Sequence, residues 1–275
     1  MKLWNRIIYS STALIATLVF GASAARADVP SFSNLSLGNV DDAFKTFGAL
    51  MNFRPMEPAS TFGKYFGVSV GVGGQVTSTK KLKSIPGTGD LPSYLPDAYI
   101  TVAFQLPFAI GLEGGVFPAR KLKDFHIEQY AANLKWTPTD IFFDHFPVDI
   151  AVRGGFASGK LMYQQTVSTI PVLIDYSQML WNANVSVSKR LLFFEPYTAL
   201  GFSQQDATLS AVGSGTFRLL GQGFPVSMGN EVNQTRVSPN LAVGFQLHLF
   251  FANLTAQYDY QFAQSNFAAK LAFKF

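Results

Sequence analysis

The chain has 275 residues, of which 14% are charged and 15% aromatic, and it contains no cysteine. That excludes a disulfide framework, a thiolate metal centre and a lipid-anchored N-terminal cysteine. Three of the four net positive charges sit in the first 27 residues, which hold Lys2, Arg6 and Arg26 and no acid. The other 18 bases face 17 acids, so a nucleic-acid role, which wants a basic face, loses its support.

Residues 1–27 have the form of a cleaved export signal. Lys2 and Arg6 precede an apolar run from Ile7 to Phe20. Ala25-Arg26-Ala27 then supplies small residues for a cut before Asp28, and Ala22-Ser23-Ala24 offers an alternative. The run falls short of the roughly 20 residues that a spanning helix needs. Residues 28–62 predict a helix from an Asn39 cap to about Phe53. Val40, Ala43, Phe44, Phe47 and Leu50 share one face, Asp41 and Asp42 lie in the first turn, and Pro55 stops it. The plain expectation is a helix resting at the mouth of a barrel. The sharper one is a plug entering the lumen, packed through Phe44, Phe47 and Leu50.

From Lys64 onward the period is two. Val68, Val70 and Val72 alternate with Ser69, Gly71 and Gly73. Ile100, Val102 and Phe104 alternate with Thr101, Ala103 and Gln105. The same holds around Leu134, Val152, Val185, Val243 and Leu254. About ten such runs follow one another, each long enough for a tilted membrane strand of roughly 9–11 residues. A soluble β-sandwich also alternates. Against it stand the strand length, a second face rich in Gly, Ala, Ser and Asn, and a last strand that runs to the final residue, as if its edge must close on another strand. The expected fold is therefore all-β: a closed antiparallel transmembrane barrel over residues 63–275, with about ten strands and a short N-terminal helical segment.

Connection lengths alternate in the same sense. With the N-terminus on the periplasmic side, outer loops are expected at 79–96, 118–124, 158–175, 205–235 and 262–265. Inner turns fall near Pro107, at 138–146, near Arg190–Leu191 and at Phe250–Phe251. Short inner turns and long outer loops suit an outer-membrane barrel. A further hairpin inside 205–235, from Ala207 to Val212 and Thr216 to Leu220, would give twelve strands. Aromatic residues are expected at the inner interface (Phe108, Trp136, Phe193, Phe194, Phe250, Phe251, Phe275) and at the outer one (Phe117, Tyr176, Tyr260).

Phe267, Ala269, Leu271, Phe273 and terminal Phe275 resemble the closing-strand signal of bacterial outer-membrane barrels, which implies recognition by the barrel-assembly machinery. More widely, the chain resembles a family of uncharacterised Gram-negative outer-membrane β-barrel proteins. The likeness rests on Asn52-Phe53-Arg54-Pro55, Pro58-Ala59, Leu91-Pro92-Ser93-Tyr94-Leu95-Pro96, Ser188-Lys189, Pro196-Tyr197 and Tyr258-Asp259. It implies location and fold, not substrate. The segment before the first strand is loosely similar to that of fatty-acid channel barrels.

Sites for chemistry are few. His126, His145 and His248 are the only histidines. A hydrolase of this size needs a His beside a Ser, and an omptin-like protease needs acidic pairs with a His, for which Asp124 with His126 is the only local candidate. Each His is better taken as structural or interfacial, so no catalytic, cofactor or metal residue is assigned and the chain is not expected to be an enzyme. Glycine pairs at 73–74, 114–115 and 154–155 lack the Lys-Ser or Lys-Thr of a phosphate loop. Lys80, Lys81, Lys83, Arg120, Lys121 and Lys123 make basic outer loops, solvated or facing lipopolysaccharide. Strand parity points Glu113, Lys135, Asp149, Arg153, Arg236, Asp259 and Lys270 into the lumen. Such charges are tolerable there when paired or hydrated, so the lumen is either a salt-bridged filling or a narrow polar pore. The expected function is a small pore or transport barrel for a small or hydrophobic solute in the outer membrane, with lipid and lipopolysaccharide as surroundings. A surface-interaction barrel acting through its outer loops is the alternative, and an outer-membrane hydrolase a distant one.

Overall fold

The computed structural model describes residues 37–63, 65–80, 93–122, 125–143, 146–167, 170–219 and 222–275. Residues 1–27, expected to be an export signal, and Asp124 and His145 lie outside them. One helix, α1 (Leu37–Leu50), precedes ten strands: β1 (Gly67–Ser78), β2 (Tyr94–Leu106), β3 (Ile110–Leu122), β4 (Phe125–Trp136), β5 (Asp149–Val167), β6 (Ile170–Ser188), β7 (Phe194–Leu219), β8 (Gln222–Leu249), β9 (Ala252–Gln261) and β10 (Gln264–Lys274). A single helical turn, Thr139–Phe142, joins β4 to β5.

The strands form a closed antiparallel barrel in which each pairs with its sequence neighbours and β1 pairs with β10. At the seam, Ser69 to Thr77 lie opposite Lys274 to Asn266. Val68 and the final residue, Phe275, exchange both backbone hydrogen bonds, at 3.1 and 2.9 Å. Closure satisfies backbone groups that an open edge would leave bare.

Alternation sorts the side chains. Val70, Ile100, Phe104, Leu134, Val152, Trp181, Leu200 and Val243 are exposed on the exterior, whereas Ser69, Gln105, Glu113, Asn133, Arg153, Ser186 and Asn266 are buried inside. Among the described residues no helix is long and apolar enough to cross a membrane; the apolar belt belongs to the strands. At one end the connections are Pro107–Ala109, 137–148, 189–193 and Phe250–Phe251, beside the C-terminus. Phe108, Phe193, Phe250, Phe251 and Phe275 are exposed there. This is the short-turn end.

The other end differs from expectation. Most of the stretches taken as outer loops are strand. The β5–β6 ladder continues to Val167 opposite Ile170, and β7–β8 to Leu219 opposite Gln222. The twelve-strand alternative is thereby overturned, because 205–235 lengthens two strands instead of adding two. The β7–β8 ribbon rises past β6, whose last partner is Gly213, and past β9, which leaves β8 at Asn240. Two aromatic assignments also change. Phe117 and Tyr176 are buried, 4% and 1% exposed, and face inward, where they pack on the N-terminal segment.

Candidate functional site

The barrel interior is occupied by residues 41–62. The helix does not rest across a mouth; it lies within the wall, near the long-hairpin end. The chain then runs extended down the lumen to the short-turn end, where it joins β1.

The helix starts at Leu37, so Asn39 lies inside it, and it stops at Leu50, five residues before Pro55. Tertiary hydrogen bonds account for the early stop. The last carbonyls of a helix have no partner within it. Here the Gln75 amide donates to Leu50 O (2.6 Å), Gln129 and Gln178 donate to Met51 O (2.6 and 3.2 Å), and Arg54 donates to Ala49 O (2.9 Å). Gln205 adds a bond to Phe44 O (3.1 Å). Glutamines from β1, β4 and β6 thus cap the helix, and Gln205 of β7 holds it along its length. Phe44 and Leu50 are buried, and Phe47 packs on Tyr176 at a ring distance of 5.1 Å. Two glycines make room: a Cβ at Gly159 would meet Met51 at 2.6 Å, and one at Gly115 would meet Phe53 at 2.5 Å.

At the long-hairpin end Asp41 pairs with Lys45 (2.5 Å) and with Arg236, and Gln234 donates to it at 3.2 Å. Burial raises this carboxyl, but the bonds from Lys45 and Gln234 and the Arg236 charge outweigh that and hold it below the usual carboxylate range. Thr46 receives a bond from Gln264 (2.9 Å), beside the β9–β10 turn.

Below the helix, the seven charges assigned to the lumen fall into separate groups. Arg54 pairs with Asp259 at 2.5 Å, both almost fully buried. Glu57 lies between Lys135 (3.3 Å) and Lys270 (3.5 Å). Lys270 also pairs with Glu113 at 2.8 Å. Arg153 donates to the carbonyls of Glu57 and Pro58 at 2.5 and 2.7 Å. Lys135 and Arg153 are direct cross-strand partners. Like charges so placed repel, and the Glu57 carboxylate relieves them. Arg236 serves the helix, as above. Asp149 is half-buried at the short-turn end, close to Asp140 and away from the charged core. Sequence parity finds these seven charges but leaves out Glu195 of β7, which is fully buried, and it carries no signal for the partners Arg54 and Glu57, which sit in an irregular segment.

Backbone groups of residues 57–61 are held one by one. Thr137 donates to Ala59 O (2.7 Å) and Lys135 to Ser60 O (2.9 Å). The Ser188 hydroxyl accepts from Ala59 N (3.1 Å) and donates to Glu195 (2.7 Å). Ser60 donates to Glu195 at 3.0 Å, and Thr61 to Asp140 at 2.6 Å. His248 Nε2 lies 2.8 Å from the Glu195 carboxylate. Both serines therefore serve a carboxylate, and neither is set to be activated by imidazole. His126 contacts Glu128 at 2.6 Å. Among the described residues, no group of three or more His, Cys, Asp or Glu could hold a metal ion.

With the segment in place the lumen is almost solid. A cavity of about 40 Å³ remains among Arg54, Arg153, Asn182, Asn184 and Asp259, and two of about 10 Å³ lie beside Glu57. About 10–15 Å³ of such space holds one water, so among the described residues these lumen gaps admit single waters or a small cluster of them.

Of the residues expected to form an assembly signal, Phe267, Phe273 and Phe275 are exposed on the exterior and Leu271 is half-buried there. Among solved structures, the chain resembles the attachment invasion locus protein Ail of Yersinia pestis, at 12% identity and TM-score 0.33, covering 78% of this chain and 100% of that one. It also resembles the translocator domain of the autotransporter NalP from Neisseria meningitidis, at 10% identity and TM-score 0.41, covering 94% and 99%. The N-terminal barrel domain of Pseudomonas aeruginosa OprF matches at 13% identity and TM-score 0.29, covering 76% and 97%. Likenesses this distant carry no function across. No curated protein sequence matches. Residues 59–275 match a family described as a family of unknown function (DUF6588), and the chain belongs to that family.

Proposed function

We propose that this chain is an outer-membrane barrel, closed at rest by its own N-terminal segment, that passes a small polar solute when the segment leaves the lumen. The exposed apolar belt, the aromatic short-turn end and the export signal support the membrane placement. In that placement the short-turn end is periplasmic and the long hairpins face outward. Outer-membrane lipid and lipopolysaccharide surround the barrel, and assembly machinery reads the C-terminal strand. The observation that carries the reading is the contrast between wall and filling. The wall is lined by Gln, Asn, Ser, Thr and charged residues, and a separate stretch of chain occupies all but a few water-sized gaps. Planar-bilayer recording tests it. The full chain is expected to be silent or to flicker, and deletion of residues 28–60 to give steady conductance. Silence in both forms, with the deleted protein shown to be folded, overturns the reading.

A second reading has its own observation. The β7–β8 ribbon projects beyond its neighbours and would serve a barrel that acts through surface contacts. Excising 210–230 would abolish binding to a surface partner in that case and leave conductance unchanged in the first.

A further inference from the structure

We infer that the barrel interior is a peptide-binding site, whose ligand class is an extended, proline-punctuated segment carrying a cation and, three residues later, a carboxylate. The inference rests on the segment being a separable filling, as proposed above. It does not require that anything pass through the barrel.

The site is built from wall residues far apart in the chain. Asp259 of β9 takes the cation, Arg54. Lys135 of β4 and Lys270 of β10 take the carboxylate, Glu57. The three-residue offset of ligand charges is therefore matched by opposite charges at two depths of the lumen. Pro55 follows the cation and Pro58 the carboxylate, and each holds the residue before it extended. Other wall side chains address the ligand's main chain, which any peptide of this shape would present. Arg153 and Thr137 read the carbonyls of residues 57–59, and Ser188 reads the Ala59 amide. The Gly115 and Gly159 gaps accept Phe53 and Met51. Main-chain bonds supply affinity and side-chain pockets supply selectivity, the division of labour found where proteins recognise extended peptides. Near the short-turn end the segment reaches β1 only through residues 61–66, and Tyr65 and Phe66 are exposed, at 70% and 65%. The covalent link is thus accessible while the bound part is not.

The test uses the full chain, folded first and cut afterwards. A specific protease site is inserted before Tyr65, the refolded protein is cleaved in detergent, and a fluorescent synthetic peptide of residues 37–62 is added in excess. The cut segment is expected to remain with the barrel through gel filtration. It is expected to exchange for the labelled peptide, while uncut barrel takes up none. Peptides with Arg54→Glu or Glu57→Lys are expected to bind at least about tenfold more weakly, a loss of about 1.4 kcal/mol. Failure of the labelled peptide to enter cut barrel overturns the inference, as does equal binding of the charge-reversed peptides. Exchange without conductance in the deletion test would leave the site standing and remove the passage.

Discussion

Glu57 is the residue on which the charged core turns, since Lys135, Lys270 and Arg153 all converge on it or its carbonyl. Removing one partner of a buried pair costs about 3–5 kcal/mol, because the other charges stay buried and uncompensated. Glu57→Gln is therefore expected to destabilise the folded protein by an amount in that range, read by thermal or denaturant unfolding in detergent; a change below about 1 kcal/mol would show that the lumen rehydrates freely. The β9–β10 turn offers a change of opposite sign. Phe262 and Ala263 have φ of 51° and 56°, a left-handed conformation that costs an L-residue roughly 1–2 kcal/mol. Ala263 is exposed, so Ala263→Gly is expected to stabilise by about 1 kcal/mol, measured in the same way. At this scale the sequence is informative about which wall charges point inward, because strand parity is a local property. It is silent about Arg54 and Glu57, whose irregular backbone has no period from which direction follows.

The helix shows why element boundaries depend on tertiary partners. Its stop falls short of Pro55 because wall side chains terminate it: Gln75, Gln129 and Gln178 take the carbonyls that a longer helix would have used internally. Gln75→Ala leaves Leu50 O without that buried partner, so a loss of about 1–3 kcal/mol and faster amide exchange in residues 41–51 are expected. The other end of the helix responds to pH. Because the Asp41 carboxyl is held below its ordinary value, its contribution is complete at neutral pH and down to about pH 4, the ordinary carboxylate range. It is lost as pH falls through the lowered value. Helix protection measured by hydrogen exchange is therefore expected to be flat from pH 7 to about 5 and to fall in stronger acid; with Lys45→Gln, which removes the bond that lowers the carboxyl most and a charge as well, much of that acid dependence should vanish. Strand existence and order are legible in the alternation of residues such as Ile100 to Gln105. The upper parts of β5 to β8 are not, because their apolar residues are too sparse to mark a continuous face in the sequence, as in Gln204-Gln205-Asp206 and Asn233-Gln234-Thr235-Arg236.

For the whole molecule, the main consequence is the direction in which the segment runs. Residues 41–46 contact Arg236, Gln234 and Gln264 at the long-hairpin end, whereas Thr61 meets Asp140 at the other. In the proposed membrane placement the amino-terminal part of the helix faces the cell exterior. The natural chain has no cysteine, so single substitutions report cleanly. Lys45→Cys is expected to react with an impermeant maleimide on intact cells, and Leu192→Cys, at a short-turn tip, only after the outer membrane is permeabilised. The reverse pattern would invert the orientation. The closed form of the barrel is legible from its alternation and from its final strand; the threaded interior is not, since nothing local in residues 41–62 says which surface they meet. The seam made by Val68 and Phe275 then constrains biogenesis. A bulky rod bearing Phe44, Phe53 and Arg54 cannot enter a sealed hoop from the side. Either the hoop zips shut around a rod already lying in the cradle, or the rod is drawn in lengthwise. In the first case the clasp that fastens the hoop joins β1 to β10, so fastening waits until the strand furthest along the sequence has been made.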